Sequence, residues 1–317
     1  MIRALLLAAF AACIATGAAA APDQPITLLQ GFAPGGNADT IARIVAQGLS
    51  RELGQPVIVD AKTGAGGNIA SAALARARPD GNTLILMTGG HAVSAAMYKS
   101  LSFDALEDFD WLSMVTRFPF VIATSSESRF HSLGEVVSAA KTAPGTVSYS
   151  SVGIGSTQHL SGELFQSMAG VQLNHIPYRG GGAPVQDVVA GRVDLLFDSV
   201  TVARPQIEGG RLRALGVTSP EPSPLLPGVA PVARVVPGYE VTSWTAVAAP
   251  KGLPPDVAAR LRSALLRVLK SPDVVKQLEA TGGIVTPSAD AQDARAFVGT
   301  QVAKWKKVVR DAQIQQQ

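Results

Sequence analysis

Four times along this chain a short β-prone run gives way, through a glycine-rich turn, to a helix start. That alternation restricts the fold more than any other feature. Ile26 to Phe32 is a strand candidate, followed by the turn Ala33-Pro34-Gly35-Gly36-Asn37 and then by Ala38, Ile41, Ala42, Val45, Leu49 and Leu53 at helical spacing, with Gly54 as the stop. Pro56 to Asp60 is a second strand, Thr63 to Asn68 a second glycine-rich turn, and Ile69 to Ala77 a short helix closed by Pro79-Asp80-Gly81. Thr83 to Met87 is the third strand. A β-α-β-α-β order demands a parallel sheet with helices on its faces, joined by right-handed crossovers.

The plan then repeats. Two adjoining β-prone runs, Trp111 to Thr116 and Phe118 to Thr124, have no helix between them and read as a passage between two lobes. A second series follows: helical Leu133 to Lys141, strand Thr146 to Ser150, the turn Val152 to Thr157, and a helix burying Leu160, Leu164, Phe165 and Met168. Strand Gln172 to Ile176, the turn Pro177 to Gly182, a helix entered through Pro184 and ended at Gly191, and strands Val193 to Phe197 and Leu212 to Val217 complete it. Prolines at 220, 222, 224, 227, 231 and 237 mark a long irregular connection. Ser243 to Ala249 then returns as a strand toward the first lobe, Pro254-Pro255 open a helix with Val257, Leu261, Leu265 and Val268 on one face, and a last helix carries Val298, Val302, Trp305 and Val309. Two crossings of this kind make a hinged cleft. The expected division is lobe 1 over 21–117 plus 245–317 and lobe 2 over 118–244, each Rossmann-like.

The first twenty residues read as a secretion signal. A basic start at Arg3 precedes the apolar run Ala4 to Ile14, and Ala18-Ala19-Ala20 offers a cleavage site after Ala20. Phe10-Ala11-Ala12-Cys13 loosely matches a lipid-attachment signal, so anchoring at Cys13 is the alternative. Cys13 is the single cysteine of the 317 residues, which leaves an exported body without disulfides or thiolate chemistry. Apolar residues at 47% against 16% charged exclude intrinsic disorder, and no later apolar run reaches the roughly 20 residues of a bilayer crossing. The net charge of +3 is scattered and aromatics are only 5%, so a nucleic-acid surface has no support. A monomer exported to the periplasm is expected.

Strand-to-helix turns are where chemistry can sit. A helix N-terminus presents unpaired N–H groups and about half a positive charge, and glycine lets a ligand approach the main chain. Such turns lie at Pro34 to Asn37, Gly64 to Asn68 (with Gly66 and Gly67), Gly153 to Thr157 and Tyr178 to Gly182. In open α/β sheets they face the ligand side, at the carboxyl ends of the strands. One such turn alone is an ordinary tight connection; four in a two-lobed exported chain point to anion binding, most simply of a carboxylate. Micromolar affinity needs roughly 8 kcal/mol, and a hydrogen bond to a charged group supplies about 1.5 to 3 kcal/mol, so a few donors suffice.

Enzyme readings fare worse. Gly153-Ile154-Gly155-Ser156-Thr157-Gln158 does not complete a dinucleotide fingerprint, because its last position is Gln, and no phosphate-loop lysine motif occurs. Ser156 and His159 are three residues apart, a spacing that suits a helix cap better than a nucleophile and base, and no nucleophile-elbow motif surrounds them. The histidines at 91, 131, 159 and 175 show no metal-ligand spacing, so no metal, cofactor or catalytic residue is assigned. Asp198, at the end of its strand, either accepts from a ligand amine or hydroxyl or caps the next helix near Thr201. His91, after Gly89-Gly90 and near Thr88, is a pocket wall or a surface residue. Asp39 offsets the dipole of its helix and fixes the turn before it.

Taken in order, Phe32-Ala33-Pro34-Gly35-Gly36-Asn37-Ala38-Asp39, Thr63-Gly64-Ala65-Gly66-Gly67, Gly155-Ser156-Thr157-Gln158-His159-Leu160 and His175-Ile176-Pro177-Tyr178-Arg179-Gly180 closely resemble the tripartite tricarboxylate transporter receptors, also called the Bug family. The resemblance runs from about Ile26 to the C-terminal helix. It implies a periplasmic solute-binding protein of type II architecture that closes on a small carboxylic acid and delivers it to membrane transporter subunits. A ligand-sensing partner of a membrane histidine kinase is the alternative role. It further implies that Phe32 to Asn37 engage a ligand carboxylate, partly through water, while Gly155 to His159 and the region of Tyr178 and Asp198 complete the pocket. Arg179 stands where the family more often has Lys. The full set of expected ligand contacts is Phe32, Ala33, Pro34, Gly35, Gly36, Asn37, Gly64, Gly66, Gly67, Asn68, Thr88, His91, Gly155, Ser156, Thr157, His159, Tyr178, Arg179 and Asp198.

Overall fold

The computed structural model describes residues 24–317. The expected secretion signal at residues 1–20, its expected cleavage site and Cys13 lie outside the described residues. The first series forms β1 (Ile26–Gln30), α1 (Asn37–Leu53), β2 (Val57–Ala61), α2 (Asn68–Ala75), β3 (Thr83–Thr88) and α3 (Gly90–Met97). β1 pairs in parallel with both β2 and β3, as a crossover series requires. The amphipathic pattern of α1 turns Ile41, Ala42, Val45 and Leu49 inward, and Gly54 ends the helix in the left-handed conformation.

The passage between lobes is one strand rather than two. β4 (Phe109–Ser125) runs unbroken for 17 residues. Its first part, through Pro119, pairs antiparallel with β9 (Thr242–Pro250), and from Phe120 onward it pairs with β7 (Leu195–Ser199) and β8 (Leu212–Val217). Pro119 has no N–H to give to a ladder, so it is tolerated at the point where the strand changes partners. The first sheet is therefore ordered β2-β1-β3-β9-β4 and the second runs from β6 (Asn174–Pro177) through β5 (Ser148–Ser151), β7 and β4 to β8. Both are mixed, because β4 and β9 enter parallel sheets in the antiparallel sense.

Around the second sheet pack α4 (Leu133–Thr142), α5 (Thr157–Ala169), α6 (Ala183–Val189) and α7 (Val200–Glu208). The chain then returns through β9 to α8 (Pro255–Lys270), α9 (Pro272–Ala280), the short β10 (Ile284–Val285) and α10 (Ala291–Asp311). Helices α3 and α9 have no counterpart in the sequence reading, and α7 appears there only as the helix near Thr201. Met168, expected inside α5, is 39% exposed, whereas Leu160, Leu164 and Phe165 are buried. The α5 stripe is therefore narrower than its spacing suggested.

Thr218 fastens the two crossings side by side. Its Oγ1 accepts from Phe120 N at 2.8 Å and donates to Val241 O at 2.6 Å, while its own N–H and C=O pair with Phe120 O and Val241 N, each at 3.0 Å. One residue from the end of β8 thus ties the strand leaving the first lobe to the strand returning to it.

Candidate functional site

The carboxyl ends of β1, β3, β5 and β7 meet between the two sheets, so the turns that follow them face one another. Ala33 N donates to Arg179 O at 3.1 Å and bridges in parallel to Gly180. Ser94 Oγ donates to Gly155 O at 3.2 Å, and Tyr98 Oη to Ile154 O at 3.4 Å. Thr201 Oγ1, on α7, donates to Asn37 Oδ1 at 2.6 Å. The lobes are closed on each other through main-chain and side-chain contacts alike.

Glycine is required where the approach is tightest. Gly66 has φ 65°, and a β-carbon there would sit 2.8 Å from Gly155 C and Ile154 O of the opposite lobe. Gly181, with φ 74°, would place one 2.8 Å from Pro34 O. Any side chain at either position would hold the lobes apart, in addition to its backbone strain.

Between these contacts lies a small chamber. Lobe 1 contributes Phe32, Gly36, Asn37, Ala38 and Thr88; lobe 2 contributes Val152, Thr157, Gln158, Gly180, Gly181 and Asp198; Phe118, Phe120 and Ser243 come from the crossing strands. Among the described residues, no Arg, Lys or His lines it. Positive potential comes instead from two helix starts. α1 begins after Gly36, which has no capping side chain, and its first intrahelical bond is Thr40 N to Gly36 O, so the N–H groups at Asn37 and Ala38 are left open. α5 is capped by Ser156 Oγ, which accepts from His159 N at 3.2 Å and leaves those of Thr157 and Gln158 open. The hydroxyl of Thr157 is buried without a partner. Phe32, Phe118, Phe120 and Val152 form the apolar walls.

Of the expected contacts, Phe32, Gly36, Asn37, Thr88, Thr157 and Asp198 line this chamber. Ala33, Pro34 and Gly35 shape the turn behind it; Gly35 N donates to Asp39 Oδ2 at 3.1 Å, and Asp39 also accepts from Arg43 Nε at 3.0 Å. Asp39 therefore fixes the turn, as read from the sequence. Gly155 and Ser156 likewise shape the turn into α5. Gly64, Gly66, Tyr178 and Arg179 line a separate, wider crevice toward solvent, where the Arg179 side chain is exposed. Gly67 borders a smaller space beside Phe32 and Thr88, and Asn68 starts α2 outside the chamber.

Two histidines belong to the scaffold. His91 is packed inside lobe 1, its Nε2 2.8 Å from Ala105 O and its Nδ1 3.2 Å from Ser71 Oγ, with its ring stacked on Phe103. Burial pushes its pKa down to about 4. It is not a surface residue; it borders the small space beside Phe32 and Thr88 and not the chamber. His159 stacks on His175 at 4.3 Å, with Nδ1 facing Gly155 N at 3.4 Å and Nε2 3.7 Å from Glu163. Burial lowers its pKa, partly opposed by Glu163. With Ser156 Oγ engaged as a helix cap, the pair buttresses the glycine turn. The expected contacts lack Ala38, Val152, Ser243 and the aromatic walls Phe118 and Phe120, and hold Gln158, Gly180 and Gly181 only within the turns Gly155 to His159 and Tyr178 to Gly182. Phe118 and Phe120 were legible only as strand residues, because a long strand exposes its faces to different surroundings where it leaves one sheet for another.

Asp198 is 3% exposed at the end of β7. Its Oδ1 accepts from Ser199 N at 2.7 Å and from Gln158 Nε2 at 3.1 Å. Burial raises its pKa to about 6, against the opposing pull of these hydrogen bonds. Of its two sequence readings the helix cap is not seen, since Ser199 is the N-cap of α7 and no side chain caps that helix; Asp198 lines the chamber.

Residues 41–314 match the family model described as tripartite tricarboxylate transporter family receptor. A Pseudomonas sp. protein described as the UPF0065 protein in the tcbD-tcbE intergenic region is 38% identical over 290 residues, covering 91% of this chain and 86% of that one. Among solved structures, the periplasmic binding protein BugD superposes with a TM-score of 0.89 at 30% identity, over 94% of this chain and 100% of the other. An R. palustris protein solved with adipate gives 0.88 at 32%, over 93% and 99%. MatC from Rhodopseudomonas palustris with bound malate gives 0.84 at 30%, over 90% and 99%.

Proposed function

The chain belongs to the tripartite tricarboxylate transporter receptor family, and from that premise we propose that it is a periplasmic receptor that captures a small carboxylic acid between its lobes and hands it to the membrane subunits of its transporter. The fold and family are those of solute-binding receptors rather than enzymes. The observation that carries the reading is the chamber itself: closed by both lobes, walled by aromatic rings, and supplied with main-chain donors at the starts of α1 and α5. Neighbours of the same fold hold adipate and malate.

Lobe motion would turn about the partner switch of β4 near Pro119 and Phe120 and the return near Val241, a few residues from the boundaries expected at 117/118 and 244/245. A carboxylate held by a few charge-assisted hydrogen bonds gains about 1.5 to 3 kcal/mol from each. Low surrounding dielectric after closure strengthens each bond.

The test is thermal unfolding of the mature protein with a panel of C3 to C8 carboxylic acids and their matched amides. A ligand at about 100 times its Kd adds roughly 2.7 kcal/mol of stability. A shift with an acid and none with its amide supports anion capture; equal shifts with both, or none across the panel and no small molecule released on denaturation, overturn it.

A further inference from the structure

A receptor for anions that places a buried carboxyl in its binding chamber needs a reason for it. Both hydrogen bonds received by Asp198, from Ser199 N and Gln158 Nε2, go to Oδ1. Oδ2 receives none from the described residues, although the residue is almost wholly buried and lines the chamber. No cationic side chain of the lining neutralises it. Oδ2 is open to the chamber, and the hydroxyl of Thr157 on the same wall is buried and unpartnered. A buried polar atom is ordinarily satisfied, which makes that wall a place for a hydrogen-bonding ligand group.

We propose that Asp198 selects the ligand: the chamber takes a small carboxylic acid that also carries a hydrogen-bond-donating substituent, hydroxyl or ammonium, with its carboxylate between the starts of α1 and α5 and its donor on Asp198 Oδ2. This rests on the carboxylate-receptor reading above. The two ends of the chamber differ in sign. The start of α1, with open N–H groups and no capping side chain, attracts negative charge. The Asp198 end repels it, because a second carboxylate against Oδ2 would set two like charges together away from water. A donor there completes the coordination of Asp198 and gains the strength of a bond to an ionised acceptor.

Ionisable groups on the elements around Asp198 are engaged elsewhere. His159 on α5 and His175 on β6 stack on each other, with burial holding both below the ordinary histidine range, and Tyr149 on β5 donates to Glu163. Arg204 on α7 pairs with Glu208, and Arg117 on β4 lies over Phe297. Proton exchange on ligand binding that is lost in Asp198→Asn therefore reports Asp198.

The experiment is calorimetric titration of the mature protein at pH 6, in two buffers of different ionisation heat, with plain, 2-hydroxy and 2-amino acids matched in carbon number from three to eight. The proposal expects a hydroxy or amino acid to bind at least tenfold tighter than its plain counterpart and, after correction for the ligand's own ionisation, to release protons from the protein. Asp198→Asn should narrow that preference at least tenfold and abolish the proton release. A plain acid that binds as tightly or tighter, or that binds with proton uptake while substituted acids bind weakly, overturns the proposal and leaves the receptor reading standing. No binding by any acid overturns the receptor reading and the proposal with it. The preference of the wild-type protein among the acids decides even if the variant does not fold.

Discussion

Asp198 sits where burial works against its charge. In the unfolded chain its carboxyl titrates near the ordinary 3.8, whereas in the ligand-free fold it holds its proton up to about pH 6. Between those values the folded state keeps a proton that the unfolded state has released, so this group's contribution to stability is complete below about pH 4 and is lost as pH rises through about 6. Asn keeps the shape and can still accept both bonds now made to Oδ1. Asp198→Asn should therefore be more stable than wild type by about 1 to 3 kcal/mol at pH 7.5, with the gain vanishing near pH 4, in urea unfolding without ligand; a variant less stable at both pH values would contradict this. The residue's place at a strand end facing the ligand side was legible from spacing. Which of its oxygens is satisfied was not, because that depends on Gln158, forty residues away in sequence. His91 shows the opposite limit. Its Gly89-Gly90 turn looks like the binding turns, yet the ring goes into the core because Phe103, Phe109 and Trp111 surround it from distant parts of the chain.

At the scale of elements, the alternation of strand, glycine turn and helix was readable because each βα unit carries its own punctuation. β1, α1, β2 and α2 follow the turns that precede and end them. Helices α3 and α9 went unread, although α3 follows Gly89-Gly90 and α9 opens on Pro272, and α7 was read only as the helix near Thr201. α3 is built of small residues without a clear apolar stripe, α7 starts directly at the end of β7 and carries Pro205 within it, and α9 follows α8 after Ser271 alone. The continuity of β4 was hidden by Arg117 and Pro119, which interrupt its apolar run where it passes between sheets. Thr218 turns that passage into a defined joint. Thr218→Val would keep the side-chain volume and leave Phe120 N and Val241 O without their bonds to Oγ1, costing about 1 to 3 kcal/mol. A lowered urea midpoint with unchanged m-value is the expected observation; an unchanged midpoint would show that the two crossings do not need the clamp.

For the whole molecule, the repeated α/β plan and the two crossings already imply lobes around a cleft, but contact across that cleft is a property of neither lobe alone. Gly66 against Gly155, Gly181 against Pro34 and Thr201 against Asn37 are pairs that no local pattern connects. The account's central claim is that a carboxylate is held from both sides by main-chain donors rather than by a cationic side chain. The most direct measurement follows the amide resonances of Asn37, Ala38, Thr157 and Gln158 in the isotopically labelled mature protein while the best-binding acid, and then its amide, is added. The account predicts that all four move together on addition of the acid, at the heads of α1 and α5 at once, and stay in place with the amide. Shifts confined to one lobe, or equal shifts with acid and amide, would contradict it.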